Sequence, residues 1–204
     1  MTAFEALGWI GNACFFSRFL VQWALSERAG RSLTPTVFWY LSLVGTTCFA
    51  LYTADQGEYV LVVGFALNGL IYARNLWMQS RAGAPTLTAG LAALIALVAV
   101  AGLAAGVFLS MDADPEASLG WVVCAAFGQA IWSSRFVLQW WHSEREGRSH
   151  FPPVFWWLSL AGNALLLAYA VHLRDAILIA GSVPGPLVQV RNLMLQRRSG
   201  VESE

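Results

Sequence analysis

The stretch SRFLVQWALSERAGRSLTPTVFWYLSL at residues 17–43 decides how the chain is organised, because it returns as SRFVLQWWHSEREGRSHFPPVFWWLSL at residues 134–160. The offset is 117 residues without a gap, and 18 of the 28 positions from 18 to 45 are identical to their partners. The same offset later places the RNL tripeptide at 74–76 on the one at 191–193. The sequence is therefore an internal duplication, and most of its polar residues lie within the two copies.

The composition is typical of a membrane protein. Of the 204 residues, 57% are hydrophobic and 12% are charged, with a mean hydropathy of +0.57, whereas soluble domains carry about 25% charged residues. The net charge is zero and every basic residue is an arginine, so no basic surface indicates a nucleic-acid partner. The cysteines and histidines show no metal-ligand spacing, and we expect neither a metal site nor a cofactor.

Seven apolar segments are long enough to cross a bilayer, which takes about 20 residues. They cover residues 6–26, 34–54, 59–79, 86–110, 119–142, 151–172 and 176–196. The first three correspond to the last three, and the fourth has no counterpart. We therefore predict an all-α integral membrane fold, in which two parallel three-helix bundles are joined by a linker helix in a 3+1+3 arrangement. The predicted units are 1–82, 83–117 and 118–198, followed by a cytoplasmic tail at 199–204.

The distribution of arginines predicts the orientation of the chain. The loops at 27–33, 80–85 and 143–150 and the C-terminal tail contain seven arginines, whereas the opposite side has only Arg174. Because cytoplasmic loops are enriched in basic residues, we expect the N-terminus outside and the C-terminus in the cytoplasm. No cleavable signal peptide is expected, since no basic region precedes the first apolar run. In the linker, Gly102 and Gly106 favour close helix packing.

Two arginine–glutamine pairs are the first candidate substrate-binding residues. Arg18 and Gln22 are four residues apart and share one helix face, as do Arg135 and Gln139. Arg18 lies about 12 Å from the cytoplasmic end of its helix at 1.5 Å per residue, where an arginine costs about 2 kcal/mol or more. These arginines either snorkel to lipid phosphates or line a shared cavity. A guanidinium binds phosphate through two hydrogen bonds, so such a cavity suits a phosphate-bearing ligand.

The third helix of each copy supplies further candidates. They are Asn68, Tyr72, Arg74 and Asn75 in the first copy and Gln189, Arg191 and Asn192 in the second. An amide that faces lipid is unsatisfied, so the asparagines favour the bundle interior, whereas the arginines also fit the role of positive-inside anchors. The copies diverge at Pro184, Gly185 and Pro186, which we expect to break the seventh helix and to act as a hinge.

The loops that follow the first and fifth helices contain the motif ERxGRS. Its charged residues are Glu27, Arg28 and Arg31 in the first copy and Glu144, Arg145 and Arg148 in the second. We expect each glutamate to pair with a loop arginine, which leaves the buried arginines without matching carboxylates. Pro35 and Pro152 are expected in the first turn of the next helix, where proline costs little. The motif is therefore interpreted as a tight cytoplasmic turn, with protein docking as the alternative.

The pattern R-F-x-x-Q-W-x-x-S-E-R-x-G-R-S-x-x-P-x-x-F-W-x-L-S-L, followed by R-N-L, resembles the lipid A biosynthesis N-terminal domain family of bacterial membrane proteins, here in tandem over about 6–80 and 123–197. The family name implies a link to lipid-A-disaccharide synthase. That family is also similar to the PQ-loop, SWEET and SemiSWEET proteins, whose three-helix units pair as 3+1+3. The resemblance implies involvement with envelope glycolipids in the inner membrane of a Gram-negative bacterium.

Two functions remain open at this point. The first is a SWEET-like transporter or flippase-like carrier for a phosphate-bearing lipid-linked sugar or lipid A precursor. The alternative is a membrane subunit that recruits an envelope glycosyltransferase through the ERxGRS loops. Glycosyltransferase activity itself is less favoured, because the sequence has no HExxH, P-loop, dinucleotide fingerprint or nucleophile elbow and no segment for a nucleotide-sugar domain. No catalytic residue is assigned.

Overall fold

In a computed structural model, residues 1–29, 35–80, 89–146 and 152–201 of the chain are described. These residues form eight helices and no strand. The helices are α1 (Ala3–Ala29), α2 (Thr36–Asp55), α3 (Tyr59–Ser80), α4 (Ala89–Ala113), α5 (Leu119–Glu146), α6 (Pro153–His172), α7 (Ala176–Ser182) and α8 (Pro184–Val201).

Four helical segments within the described residues are long and apolar enough to cross a membrane. They are Thr36–Asp55, Tyr59–Trp77, Leu119–His142 and Pro153–His172. Helix α1 has 27 residues but is less apolar, because Arg18 lies inside it and Glu5, Glu27 and Arg28 lie near its ends. The chain is thus an all-helical membrane protein, and the arrangement of seven spans stays a prediction.

The helices of the two copies close into a ring. Around it, α1 packs on α2, α2 on α3, α3 on α5 and α5 on α6, while α6 packs on α7 and α8, which in turn contact α1. The copies therefore meet at two seams, α3 against α5 and α1 against α7 and α8. Helix α4 lies outside the ring and packs on α3 and α5. As a result, residues of both copies line the interior of the ring.

Glycines allow the first two helices of each copy to cross closely. A Cβ atom placed on Gly45 in α2 would lie 2.7 Å from the ring of Phe15 in α1. At the matching position in α6, a Cβ atom on Gly162 would lie 3.0 Å from the backbone nitrogen of Trp132 in α5. Because no larger residue fits without displacing its neighbour, these glycines fix the distance between the paired helices.

The last apolar segment of the sequence is interrupted. Helix α7 ends at Ser182 and α8 begins at Pro184, with Val183 between them. Proline cannot donate a hydrogen bond to the preceding turn but is tolerated in the first turn of a helix, so the break falls where the sequence Pro-Gly-Pro predicts it. Pro35 and Pro152 differ from expectation, since they occupy N-cap positions with extended backbone, one residue before the first helical turn.

Two hydrophobic clusters pack the ring at different levels. One contains Phe38 and Trp39, near the start of α2, together with their counterparts in α6. The other contains Phe49 and Tyr52, near the end of α2, together with Tyr169 of α6. Aromatic pairs of this kind each add about 0.5–1.5 kcal/mol beyond the apolar area that they bury. The clusters hold both copies of the ring together around a central space.

Candidate functional site

The arginines of the repeated motif, one in each copy, are held in the same way inside the ring. Arg18 is 3% exposed, and its Nη1 donates to Oγ of Ser42 over 2.9 Å. Arg135 is 4% exposed, and its Nη1 donates to Oγ of Ser159 over 3.0 Å. Each serine hydroxyl in turn donates to the backbone carbonyl four residues earlier, over 2.6 Å. Neither arginine snorkels to the surface, because both are buried against the neighbouring helix of their own copy.

Aromatic rings surround both guanidinium groups. The Cζ atom of Arg18 lies 4.1 Å from the centre of the Phe15 ring, and that of Arg135 lies 3.4 Å from the centre of the Trp132 ring. A desolvated cation–π contact contributes about 2 kcal/mol, and a hydrogen bond to a charged group about 1.5–3 kcal/mol. Together these offset the roughly 2.5–3.5 kcal/mol that an arginine costs inside a membrane. The arginines are therefore stable in place without a counter-ion.

Carboxylates are missing from this arrangement. Within the described residues, no aspartate or glutamate forms an ion pair with Arg18 or Arg135. The hydroxyl of Tyr72 accepts from Nη1 of Arg18 over 3.4 Å and also interacts with Arg135, and the two positive charges repel each other. Tyr72 thus lies between two cations that the fold does not neutralise, which makes the region attractive to an anion.

A central cavity of about 70 Å³ lies beside these residues. Helices of both copies line it, and its polar side chains are Arg18, Thr46, Asn68, Tyr72, Gln129, Asn163 and Ser182. The rest of the lining is apolar and includes Phe15, Phe65 and Trp132. A buried water needs about 10–15 Å³ of such space, so the cavity accommodates a group of roughly five non-hydrogen atoms.

Three polar atoms on the cavity wall lack a hydrogen-bond partner among the described residues. They are Nε of Arg18, Oδ1 of Asn68 and Oε1 of Gln129. The amide nitrogen of Asn68 donates to the carbonyl of Gly64 over 2.8 Å, which fixes the side-chain oxygen as a free acceptor. Because buried polar groups are nearly always paired, these atoms require a partner that the described residues do not supply, although Oε1 of Gln129 is packed against Gly64.

Three of the residues predicted as a binding site, namely Arg18, Asn68 and Tyr72, line this cavity. Gln22, Arg135, Gln139, Gln189 and Asn192 are buried but do not line it, and Asn75 is half-buried outside it. Asn192 instead donates to the carbonyl of Val188 over 2.8 Å within its own helix. The predicted residues thus surround the ring interior, but only those in the first copy reach the cavity.

The arginines of the third helix in each copy have different surroundings. The guanidinium of Arg74 stacks 3.3 Å above the Trp140 ring. Nη2 of Arg191 lies 2.7 Å from Oε1 of Glu27, and both side chains are about one-third exposed. Glu27 therefore pairs with an arginine of the other copy, and Arg31, the loop arginine that we expected to pair with it, lies outside the described residues. The charge of Arg191 is therefore neutralised, and this residue does not add to the surplus positive charge of the site.

The rest of the loop motif adds little to the site. Arg28 is exposed at the end of α1. The side chains of Glu144 and Arg145, and the whole of Arg31 and Arg148, lie outside the described residues.

Two hydrogen bonds that we did not predict join the two copies. The hydroxyl of Tyr52 donates to Oδ2 of Asp175 over 2.7 Å, and the hydroxyl of Tyr169 donates to Oε2 of Glu58 over 2.5 Å. Burial raises the pKa of the Glu58 carboxyl, and the negative charges of Asp175 and Asp114 raise it further. The signal was present in the sequence, because both tyrosines and both acids obey the 117-residue offset.

The fold and the duplicated site define an all-helical membrane protein built from two related halves, and sequence comparison identifies its family. The model of the Lipid A Biosynthesis N-terminal domain matches residues 7–77 and again residues 125–194. The chain belongs to this family and contains its domain twice. No solved structure matches the chain.

Curated relatives carry the name lipid-A-disaccharide synthase. The protein from Chlamydia trachomatis serovar D is 30% identical over 208 residues, which cover 94% of this chain and 34% of the relative. The proteins from Chlamydia pneumoniae and Chlamydia muridarum are 30% and 26% identical, over 93% and 96% of this chain and 33% and 34% of their own lengths. The chain thus spans about one-third of the length of the curated relatives that it matches.

Proposed function

We propose that this chain is a carrier in the bacterial inner membrane that binds a phosphate-bearing lipid-linked sugar or lipid A precursor in the central cavity. The observation that carries the proposal is the pair of buried arginines, Arg18 and Arg135, which no described carboxylate neutralises. The family and the named relatives support a role in lipid A biosynthesis. The proposed orientation has the N-terminus outside and the C-terminus in the cytoplasm.

The cavity wall suits a head group that contains both phosphate and hydroxyl groups. Arg18 supplies donors for phosphate oxygens, with a free Nε next to the Nη1 that already bonds Ser42. The free oxygens of Asn68 and Gln129 accept hydrogen bonds, which hydroxyl groups can donate and a phosphate dianion cannot. Arg135 adds positive charge next to the cavity, since it contacts Trp132 of the cavity wall. The phosphate group alone fills the cavity of about 70 Å³, so in this proposal the attached sugar is accommodated when the two halves move apart.

The ring arrangement supports a carrier with two moving halves. The copies touch at two seams, and a rocking motion of one three-helix unit against the other would expose the cavity alternately to each side of the membrane. In this proposal, the helix break at Val183 is the hinge. The SWEET-like character of the transport cycle is part of the same proposal.

The carrier proposal is tested with a strain that lacks the gene, complemented by the wild-type chain or by Arg18→Met with Arg135→Met. Mass spectrometry of the envelope lipids is expected to show one phosphorylated glycolipid altered in the deletion strain, restored by the wild type and not by the double variant. Methionine keeps the volume of the side chain and removes its charge, and replacing buried charges by apolar groups is often neutral for stability.

The matched control for this experiment is Arg28→Met, because Arg28 is exposed at the end of α1 and lies outside the ring. Its lipid profile should equal that of the wild type. A double variant that is folded, as judged by thermal unfolding in detergent, and that restores the lipid profile would contradict the carrier proposal.

The alternative proposal is a membrane subunit that docks a glycosyltransferase. It is favoured by one observation, namely that the chain matches only one-third of relatives named lipid-A-disaccharide synthase. In this case, substitutions in the ERxGRS loops, such as Arg28→Glu, would abolish co-purification of the enzyme, and the double methionine variant would retain it. The opposite result would favour the carrier.

A further inference from the structure

The two seams between the copies are related by the 117-residue offset, but only one of them is covered. At the seam of α3 and α5, helix α4 packs on the outside. A Cβ atom on Gly102 of α4 would lie 3.1 Å from Val63, and one on Gly106 would lie 3.0 Å from Cα of Val60. The close packing expected for this pair of glycines is therefore confirmed, and α4 shields the seam.

The seam of α1 against α7 and α8 has no such helix among the described residues. It contains a groove of about 340 Å³. Its lining includes Trp9, Asn12, Phe16, Ala180 and Pro184, of which Trp9 is 45% and Phe16 50% exposed. Ala180 occupies the position that Val63 has at the covered seam, 117 residues earlier. The groove is thus the open counterpart of the surface that α4 covers.

The groove adjoins the central cavity. Phe15, Phe19 and Gly181 line both spaces and lie between them. Where the two spaces meet, the side-chain oxygen of Asn12 has no hydrogen-bond partner among the described residues. It lies 2.7 Å from where a Cβ atom on Gly181 would be, so the Asn12 side chain packs directly on Gly181, which lines both spaces. The path therefore changes from apolar at the outside to polar at the inside.

We propose that the groove between α1 and α7–α8 is a lateral portal, in which the hydrocarbon chain of a lipid lies while the phosphate of its head group occupies the central cavity. This inference rests on the proposed carrier function and adds the route by which the ligand enters. The order of chemistry along the path, apolar and then polar, matches that of a lipid. A helix from a second copy is about 10 Å wide and could cover the groove, but it could not follow the path inward to the unpaired polar atoms.

The portal is tested by photo-crosslinking the full-length chain in vesicles of phosphatidylethanolamine and phosphatidylglycerol, with a diazirine in the acyl chain of a fraction of the phosphatidylglycerol. Peptide mass spectrometry then measures the label at Phe16 and Phe19 relative to Leu97 of α4, which is 66% exposed and reports ordinary surrounding lipid. Label at the groove is expected to be several-fold higher. Ala180→Trp, which fills the groove, should reduce it to the level at Leu97.

Val123→Trp is the matched control, because Val123 is 39% exposed on α5, away from the groove, and it should leave the labelling unchanged. If Ala180→Trp fails to fold, Ala13→Trp blocks the same groove from α1. Equal labelling at the groove and at Leu97 would overturn the portal, as would labelling at the groove below the level at Leu97, which is the result expected if a second copy covers the groove. Groove labelling together with lipid restoration by the double methionine variant would reject the carrier and retain the lipid site.

Discussion

The two copies agree in how they hold their arginines and differ in what faces the cavity. Arg18 donates to Ser42 and Arg135 donates to Ser159 in the same way, with distances from Nη1 to Oγ of 2.9 and 3.0 Å. On the third helix, however, Tyr72 of the first copy corresponds to Gln189, and this position reaches the cavity only in the first copy. The shared residues hold the arginines alike, and the differing residues make the lining of the cavity asymmetric.

The comparison first predicts unequal sensitivity of the matched glycines Gly45 and Gly162. Gly162→Leu should lower the free energy of unfolding by about 3 kcal/mol and Gly45→Leu by about 1 kcal/mol. At Gly162 the added atoms meet the backbone of α5, whereas at Gly45 they meet the Phe15 ring, which can turn into the cavity. Unfolding in detergent measures both, and equal losses would show that the copies are packed alike.

The second prediction is that Arg18 and Arg135 contribute unequally to ligand affinity. Arg18→Met should weaken the affinity for a monophosphorylated lipid A disaccharide at least tenfold, about 1.4 kcal/mol, and Arg135→Met should weaken it less. Arg18 lines the cavity, whereas Arg135 does not and instead contacts the ring of Trp132, which does. Thermal unfolding should be unchanged or higher in both variants. An equal loss of affinity would mean that the two copies contribute equally to binding.

The third prediction concerns the hydrogen bond between Tyr169 and Glu58, which joins the two copies. Because burial raises the pKa of Glu58 above its ordinary value of 4.5, the folded state binds the proton more tightly than the unfolded state does. The contribution of Glu58 to the stability of the wild type should therefore be fully present below pH 4.5 and be lost as the pH rises through the raised pKa.

Tyr169→Phe removes a hydrogen bond that lowers this pKa, so the loss of stability should extend to higher pH. Above that range the variant should be about 1.5 kcal/mol less stable than the wild type, the value of a hydrogen bond to a charged group. Thermal unfolding across pH provides the measurement. Tyr52→Phe is the matched control, because it removes the corresponding hydrogen bond to Asp175 and leaves the one to Glu58 in place. A pH profile unchanged by Tyr169→Phe would contradict this account of Glu58.

The smallest effect is expected at the ion pair of Arg191 and Glu27. Both side chains are about one-third exposed, and such pairs contribute about 0–1 kcal/mol. Glu27→Gln should therefore change the free energy of unfolding by less than 1 kcal/mol and leave ligand affinity unaltered. Denaturation in low and high salt measures the difference. A strong loss of affinity would instead place Arg191 in the binding site.

The sequence predicted the parts of the fold that depend on local pattern. The duplication located Arg18 and Arg135, and the Pro-Gly-Pro sequence predicted the break beside Pro184. It could not predict which residues reach the cavity, because that depends on the order of helices around the ring. The partner of Glu27 shows the same limit, since Arg191 approaches it only when α8 packs on α1. Partners far apart in sequence follow from assembly and not from spacing.

The crossed tyrosine bonds have a consequence for how such a molecule can arise. Tyr52 in the first copy finds its acceptor at Asp175 in the second, and Tyr169 in the second finds Glu58 in the first. These reciprocal contacts are those of an isologous dimer interface. A chain with one copy would satisfy its tyrosine only by pairing with another molecule. Fusing the copies makes this association intramolecular and independent of protein concentration. It also allows each copy to acquire substitutions that the other copy does not share.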